Sequence, residues 1–443
     1  RATVDVVSRD DGEDLVHRDV GAAVAIADGL FDQRAVGVDE RVVDPPRVDA
    51  HRHERGVELR GGLAGQVMPS WEVIDDADLE YHVRRSALPY PGGERELGEL
   101  VSRLHSNPMD LTKPLWEFHV IEGLAGHRFA IYCKVHHALV DGANSVKLLN
   151  LTTDPRTSFV PPFWADESRQ LSERRAGGGG LRDRLPGMID KEIKALPSLY
   201  RGLASTARAA LWFSQDPDLA SISEAPRTIF NVRVGGQRRV ATQSVSLERV
   251  KAIGRAAGGT VNDVVLAACS GALRRYLDEL GELPAESLIA SVPMALHHEE
   301  GATSGNAVTS LNTRLGSQLD DVKERFETIK RSTEAGKTLL KQMTQTAALN
   351  YTMIVSLPVL LAWLPVAGAM VRPVTNLIIS NVPGPRETLY FHGAEMVGYH
   401  PISQVGHGMA LNITVLSYAG QLSFGFVACR DSVPHVQRLA VYV

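Results

Sequence analysis

Two adjacent histidines, His136 and His137, are followed by three apolar residues and then by Asp141 and Gly142. The preceding residues 129–135 alternate as in a β-strand, whose side chains point to opposite faces in turn. By this alternation His137 shares a face with the apolar members of 129–135, and His136 lies on the other face. An imidazole at the end of an apolar face needs no charge and can act as a general base near neutral pH.

Asp141 and Gly142 fall on the turn after this strand. The Asp141 carboxylate can fix the turn through an arginine or backbone partner, and Gly142 permits a tight bend from strand to helix. A purely structural interpretation also fits, in which His137 is a hydrogen-bonded core histidine and Asp141 is a helix N-cap. A metal site is a weaker explanation, because adjacent strand residues diverge and no H-E-x-x-H motif or cysteine cluster accompanies them.

Hydrophobic spacing and turn residues predict alternating strands and helices along most of the chain. The predicted strands are 78–85, 116–122, 129–137, 239–247, 288–296, 307–315 and 374–380, with a further hairpin over 409–429. The predicted helices are 94–106, 187–213, 248–257, 260–280, 320–340 and one from residue 432. Thr260 and Asp263 form a capping-box pattern at the start of one of them. Since no repeat of 20–50 residues is present, the chain is an α/β protein and not a solenoid.

These patterns divide the chain into four parts. Residues 1–66 are rich in charge and sustain no hydrophobic period, so they stay unassigned. Residues 67–151 form an N-terminal lobe that contains the histidine pair. Residues 152–226 form a crossover linker, rich in proline and glycine, and a helix, and residues 227–443 form a C-terminal lobe.

Composition excludes several classes of function. The formal net charge of −5 gives no global basic field, so we expect no nucleic-acid partner. Cys133, Cys269 and Cys429 are far apart in sequence, which argues against a disulfide framework or a zinc site and suits a reducing cytoplasm. No charged region followed by an apolar core opens the sequence, so we expect no signal peptide.

Residues 342–371 carry no charge, and 353–371 are long enough to span a bilayer. However, Pro358 and Pro365 would kink such a helix, and a predicted strand follows at once. We therefore favour a buried or interfacial helix pair over a membrane span, and expect a cytoplasmic protein that associates peripherally with membranes or lipid droplets.

Four strings, taken in order, resemble bacterial wax ester synthase/diacylglycerol acyltransferases, which belong to the CoA-dependent acyltransferase superfamily. They are P-L-W-E at 114–117, H-H-x-x-x-D-G at 136–142, T-V-N-D-V-V at 260–265 and I-S-N-V-P-G-P at 379–385. The resemblance covers about residues 71–440 and does not extend to 1–66. It implies an α/β fold of two chloramphenicol-acetyltransferase-like lobes, with mixed sheets and a tunnel between them.

The resemblance also implies roles for individual residues. His137 becomes the base, with His136 and Asp141 beside it in the motif, and Gly142 is grouped with the substrate-binding residues. Asn262 would face a developing oxyanion from the positive end of its helix, unless it merely satisfies backbone groups there. Trp116 would line the acyl or alcohol channel, and a core tryptophan remains the alternative. We interpret 381–385 as a structural strand exit and His297-His298-Glu299 as a solvated loop.

The implied reaction moves a long-chain acyl group from acyl-CoA to a diacylglycerol or a fatty alcohol, without a metal or cofactor. No serine or cysteine lies in a recognisable nucleophile elbow, so we expect direct transfer without an acyl-enzyme. Two alternatives stay open: a condensation-type acyltransferase that uses a carrier-bound thioester, and a non-catalytic lipid-binding protein of the same fold.

Overall fold

The computed structural model describes residues 20–28, 56–60, 70–74, 78–136, 151–157, 216–221, 224–295, 308–343, 351 and 372–443. The strands are β1 Val20–Asp28, β2 Gly56–Arg60, β3 Ser70–Ile74, β4 Val83–Ala87, β5 Trp116–Leu124, β6 Arg128–His136, β7 Arg238–Ser246, β8 Ile289–Ala295, β9 Val308–Arg314, β10 Leu377–Val382, β11 Tyr390–Phe391, β12 Ala394–Ile402, β13 Leu411–Tyr418 and β14 Gln421–Cys429. The helices are α1 Leu79–His82, α2 Glu94–Ser106, α3 Leu247–Ala256, α4 Val261–Glu279, α5 Val322–Gln342 and α6 Gln437–Tyr442.

The first six-stranded sheet has the order β11-β12-β1-β6-β5-β4. Its strands pair antiparallel except for β4 and β5, which are parallel, so the sheet is mixed. The predicted hairpin is confirmed as β5 and β6, and the predicted helix over 94–106 is confirmed as α2. The predicted strand over 78–85 is wrong in its first half. The Asp78 side chain accepts a hydrogen bond from the Tyr81 backbone N–H over 3.2 Å, which caps the short helix α1.

Two segments from outside the predicted N-terminal lobe complete this sheet. Strand β1 comes from the unassigned residues 1–66 and lies between β6 and β12. Strands β11 and β12 come from the predicted C-terminal lobe, so assigning all of 227–443 to that lobe is wrong for these two strands. Without these partners β6 would be an exposed sheet edge, and edge strands readily pair with further strands. Such pairing over hundreds of residues leaves no mark in local hydrophobic spacing.

The second six-stranded sheet has the order β7-β14-β13-β10-β8-β9 and is also mixed. Strand β10 pairs in parallel with both neighbours, which fits the apolar run at 377–379. Helices α3, α4 and α6 cover one face over a large apolar cluster. The predicted capping box of α4 is confirmed: Asp263 N–H donates to Thr260 Oγ1 over 3.3 Å, and Thr260 N–H donates to Asp263 Oδ2 over 2.8 Å. An α/β fold with two mixed sheets is therefore confirmed.

The two lobes contact each other directly through backbone and side chains. At Gly425 of β14, a Cβ atom would lie 1.6 Å from the Pro401 carbonyl oxygen of β12, so only glycine fits. Helix α2 of the first lobe lies against β7, the edge strand of the second sheet. Ser102 Oγ accepts a hydrogen bond from Val240 N–H over 2.7 Å, and Ser106 Oγ accepts one from Arg238 N–H over 2.8 Å. Side chains of α2 thus complete the hydrogen bonds of an open sheet edge.

Several predictions from the sequence lie outside the described residues. They concern most of the linker and helix over 158–213, the loop at 297–299 and nearly all of the uncharged stretch 342–371. Within the described ranges, no single helix is both long and apolar enough to cross a membrane, and α3 and α4 meet both requirements only as a pair bent by 98°. The tunnel between the lobes stays a prediction.

Candidate active site

The β5–β6 hairpin brings two of the predicted site residues together. Trp116, the first residue of β5, pairs in register with Val135, and the His136 N–H donates to the Leu115 carbonyl oxygen over 3.0 Å. Trp116 and His136 are both buried. His137, Asp141 and Gly142 lie outside the described residues, so their roles stay predictions.

The predicted alternation along β6 is confirmed as far as Val135. One face joins an apolar cluster that also contains Trp116 and Phe118; its members from β6 are Phe129, Ile131, Cys133 and Val135. The other face contributes Ala130 and Tyr132 to a different cluster, beneath α2. Trp116 therefore lies on the face that the alternation predicts for His137.

His82, the last residue of α1, is a neighbour of Trp116 that the sequence did not indicate. Its Nδ1 lies 2.7 Å from the Trp116 carbonyl oxygen, and the two rings stack with centroids 4.5 Å apart and planes 27° apart. Because a carbonyl oxygen can only accept, Nδ1 carries the proton. Burial lowers the pKa of His82, so the ring is held neutral. A one-turn helix and a partner 34 residues away offered no sequence signal for this contact.

A buried polar cluster occupies the opposite face of the same hairpin. His119 Nε2 donates to Glu117 Oε2 over 3.0 Å, and Lys134 Nζ lies 3.8 Å from the same oxygen. Lys134 Nζ also donates to the carbonyl oxygens of Leu104, over 3.1 Å, and Asn107, over 2.6 Å, at the end of α2. Strand alternation could have predicted this cluster, since Glu117 and His119 share a face of β5, and Glu117 pairs with Lys134.

Burial and the neighbouring charges set the protonation of this cluster. Burial lowers the pKa of Lys134 to about 8, and the nearby Glu117 carboxylate opposes that shift. Burial alone would raise the pKa of Glu117, but the hydrogen bond from His119 and the Lys134 charge lower it overall. Burial also lowers the pKa of His119. At pH 7 the cluster therefore holds a buried ion pair beside a neutral imidazole.

Another buried histidine, His105, joins α2 to the chain that follows β12. His105 Nε2 lies 2.8 Å from the Ser403 carbonyl oxygen, and Nδ1 lies 3.0 Å from the Tyr132 hydroxyl. Nε2 must donate to the carbonyl, so Nδ1 accepts from the hydroxyl, and a neutral ring satisfies both partners. Burial, reinforced by the Lys134 charge, lowers the pKa of His105 to about 3.

Asn262 occupies the second position of α4 and is half-buried. Thr260 and Asp263 make the capping hydrogen bonds at this helix start, so the fold does not need the Asn262 amide for that purpose. Its predicted role at the positive end of the helix stays open to test.

The segment after β10 is held against the end of β13. Gly384 N–H donates to Ser417 Oγ over 3.0 Å, and a Cβ atom at Gly384 would lie 2.1 Å from the Ser417 carbonyl oxygen. Ala419 N–H donates to the Pro385 carbonyl oxygen over 3.1 Å. These contacts agree with the interpretation of 381–385 as a structural strand exit.

Two of the three cysteines are poor nucleophiles in this fold. All three are buried, and burial raises the pKa of Cys133 and of Cys269 to about 12, which disfavours the nucleophilic thiolate. At Cys429 burial also opposes the thiolate, but hydrogen bonds from Ser432, Asp431 and Gly235 outweigh it and lower the pKa of this thiol. Within the described ranges no group of three or more His, Cys, Asp or Glu side chains is arranged to hold a metal ion.

Comparison with known proteins identifies the family. The model of the wax ester synthase/diacylglycerol acyltransferase catalytic domain matches residues 42–265, and that of the family's C-terminal domain matches 304–443. The chain belongs to this family. It is therefore an acyltransferase, and the resemblance seen in the four strings is confirmed. The match begins at residue 42 and so includes part of the segment that the sequence patterns left unassigned.

Relatives of known name and structure agree with this assignment. A probable diacylglycerol O-acyltransferase of Mycobacterium tuberculosis is 44% identical over 388 residues, which cover 87% of this chain and 83% of the relative. The O-acyltransferase WSD of Acinetobacter baylyi is 39% identical over 377 residues, which cover 84% of this chain and 81% of the relative.

Solved structures show the same fold. The wax ester synthase/diacylglycerol acyltransferase of Marinobacter aquaeolei superposes with a TM-score of 0.71 at 31% identity, covering 96% of this chain and 92% of that one. The first condensation domain of the CDA synthetase superposes with a TM-score of 0.53 at 19% identity, covering 96% of this chain and 88% of that one, which shows the shared fold alone.

Proposed function

We propose that this chain transfers a long-chain acyl group from acyl-CoA to the hydroxyl of a diacylglycerol or a fatty alcohol, with His137 as the general base. The products are triacylglycerol or a wax ester, as the names of the family and its relatives suggest. One observation carries the choice of base. The apolar face of β6 runs through Val135 beside Trp116, and one more step of the same alternation gives His137.

The reaction needs two proton transfers, one from the acceptor hydroxyl to His137 and one from His137 to the leaving CoA thiolate. His137 takes the proton of the acceptor hydroxyl as the oxygen attacks the thioester carbonyl, which forms the new C–O bond. The tetrahedral intermediate carries a negative oxygen, and the Asn262 amide with the positive end of α4 is our candidate for stabilising it. The C–S bond then breaks, and the CoA thiolate leaves with the proton from the His137 imidazolium. The raised pKa of Cys133 and of Cys269 disfavours either thiol as an acyl-enzyme nucleophile, which supports direct transfer.

The lipid acceptors also suggest where the enzyme works. Diacylglycerols and long-chain alcohols partition into membranes and lipid droplets, so an enzyme that uses them must reach that phase. The uncharged stretch 342–371 is our candidate for this contact, and we propose peripheral attachment. Flotation with vesicles that contain diacylglycerol tests it: a shortened variant without 353–371 that still floats as the full chain does would contradict the assignment.

Replacement of each motif histidine tests the proposed base. We expect His137→Ala to lose nearly all release of CoA from palmitoyl-CoA with hexadecanol or dioleoylglycerol, since the base supplies about 10²–10⁴-fold. His136→Ala is the matched control: its side chain is predicted on the opposite face, so it should retain more transfer while losing thermal stability. Full activity in folded His137→Ala would refute the mechanism.

The shared fold with condensation domains makes a carrier-bound thioester the second candidate donor. Palmitoyl-CoA and a palmitoylated carrier protein can be compared at equal concentration. Faster transfer from the carrier would favour the condensation-type reaction, and no transfer from either would favour a lipid-binding role.

A further inference from the structure

The imidazole of His82 makes two contacts with a single residue. Its Nδ1–H donates to the Trp116 carbonyl oxygen over 2.7 Å, and its ring stacks on the Trp116 indole at 4.5 Å between centroids. His82 is fully buried. One side chain therefore fixes both the backbone and the ring of Trp116, so the orientation of the indole is tied to the position of strand β5.

The location of this contact explains why a side chain makes it. Strands β4 and β5 pair in parallel from Val83 and Phe118 onward, and Trp116 lies two residues before that ladder begins. His82 immediately precedes β4, so its side chain binds the strand start ahead of the backbone ladder. At this position the hydrogen bond to the strand comes from the His82 side chain and not from a backbone N–H. The same side chain also stacks on the indole, which a backbone group could not do.

The second ring nitrogen indicates that stability alone does not account for a histidine here. His82 Nε2 is buried and makes no hydrogen bond to any residue that the structure describes. A buried acceptor without a partner costs free energy, and a phenylalanine would stack on Trp116 without that cost. Phenylalanine cannot, however, donate a hydrogen bond to the Trp116 carbonyl oxygen. This hydrogen bond is therefore what a histidine supplies at position 82 and a phenylalanine would not.

We propose that His82 is a positioning residue of the acyl-transfer site, which holds the Trp116 indole in one orientation on the face of the hairpin that carries Val135. Trp116 pairs with Val135, and the face of β6 that carries Val135 is the one proposed to carry His137. This inference rests on the proposed function. Because a misplacement of about 1 Å at a reacting centre can cost about 10²-fold in rate, fixing the indole has a measurable effect.

Three variants separate the two contacts. His82→Phe keeps the stack and removes the hydrogen bond, whereas His82→Asn keeps a donor near the Nδ1 position and removes the stack. His400→Phe is the matched control, since His400 is an equally buried histidine on β12 and makes neither contact with Trp116.

We expect His82→Phe to lower kcat by about ten-fold or more with little change in KM for palmitoyl-CoA, and to weaken the discrimination between C12 and C18 donors. His82→Asn should recover part of kcat. His400→Phe should retain the parent kcat and donor discrimination. A parent kcat and donor profile in folded His82→Phe would overturn the proposal, because a merely structural residue would change the melting temperature and leave both unaltered.

A measurement without turnover keeps this inference separate from the proposed function. The chain has five tryptophans, so fluorotryptophan labelling gives five ¹⁹F signals, and the one lost in Trp116→Phe is that of Trp116. We expect this signal to shift or broaden in His82→Phe and to stay unchanged in His400→Phe. An unchanged signal would refute the positioning role. Loss of activity in His137→Ala bears only on the proposed function.

If His82→Phe does not fold, His82→Ala takes its place, because it removes both contacts without adding volume. We expect a broadened Trp116 signal and a lowered kcat in the folded protein. Parent values of both would overturn the proposal.

Discussion

The buried faces of the two six-stranded sheets are built differently. In the second sheet, the face toward α3, α4 and α6 packs as one large apolar cluster, and the buried Asp263 lies at its border, where it caps α4. In the first sheet, Glu117, His119 and Lys134 lie within the strands on the face toward α2. The first lobe thus buries charged partners within its strands, whereas the helix-covered face of the second sheet is apolar. Removing one polar partner leaves the other buried without a hydrogen bond, and repacking of the surrounding side chains does not remove that free-energy cost.

Lys134 is the residue on which this arrangement depends most. Its ammonium group contacts Glu117 and two carbonyl oxygens, those of Leu104 and Asn107. The ammonium group donates hydrogen bonds to the two carbonyls and lies at ion-pair distance, 3.8 Å, from the Glu117 carboxylate. Both carbonyls belong to the end of α2, where the helix dipole favours a positive charge. The side chain is fully buried. Lys134 therefore fixes α2 onto the strand that leads to the histidine pair.

The largest predicted effect is that of Lys134→Ala. We expect it to lower the free energy of unfolding by about 3–5 kcal/mol, because it leaves the Glu117 carboxylate buried without its cation. Urea unfolding measures this loss. Lys113→Ala is the control, since Lys113 is partly exposed and lies 3.4 Å from Asp78, so its removal should cost less than about 1 kcal/mol.

The same pair also offers a rescue. Adding Glu117→Gln to Lys134→Met removes the stranded charge and keeps most of the volume, so the double variant should be more stable than Lys134→Met alone. Equal losses for Lys134→Ala and Lys113→Ala would contradict the dependence of the first lobe on this buried ion pair.

Local sequence patterns predicted the elements of both lobes better than their assembly. The helix over 94–106, the β5–β6 hairpin and the α4 capping box were all predicted, because each depends on residues within about twenty positions of one another. The position of β1 between β6 and β12 was not predicted, since that pairing joins residues hundreds of positions apart.

In the candidate site, too, local features were predicted from the sequence and contacts between distant residues were not. Alternation along β6 predicted the face that includes Trp116, because the strand period is local. The His82 contact depends on where α1 ends relative to β5, and nothing within either segment specifies that. Sequence alone suggested Trp116 for the site but did not indicate His82, which contacts it.

The pH dependence of stability provides a test of intermediate size, which concerns the buried His105 of the first lobe. His105 has a pKa of about 3 in the folded protein and near 6.5 when unfolded, so its neutral form stabilises the fold fully above pH 6.5. As the pH falls from 6.5 toward 3, the unfolded chain binds a proton that the folded chain does not. Stability should fall by at most about 1.4 kcal/mol per pH unit for this group.

The variant His105→Gln tests that assignment, because its amide can still donate to the Ser403 carbonyl and does not titrate. We expect a shallower loss of stability between pH 6.5 and 5, measured by urea unfolding at each pH. Some slope should remain, since burial also lowers the pKa of His400 to about 3. An unchanged slope would show that His105 does not contribute to the acid sensitivity of the first lobe.

The smallest predicted effect concerns the contact that joins the lobes. Ser102 and Ser106 are four residues apart on α2, about 6 Å along the helix, and the N–H groups of Arg238 and Val240 are two residues apart, about 6.6 Å along β7. The two spacings match, so one helix face satisfies two donors of an edge strand. Ser102→Ala should cost about 1–2 kcal/mol, because the Val240 N–H loses a hydroxyl acceptor in a buried site.

Hydrogen exchange locates this loss within the molecule. In Ser102→Ala the amide of Val240 should exchange faster while that of Arg238 keeps its protection, and Ser106→Ala should show the reverse. Ser86→Ala, on β4 at the edge of the other six-stranded sheet, is the control and should alter neither amide. If both amides instead lose protection together in either single variant, α2 detaches from β7 as one unit. The two serine hydrogen bonds from α2 to β7 would then form and break together, and the contact between the lobes would depend on polar groups of the first lobe.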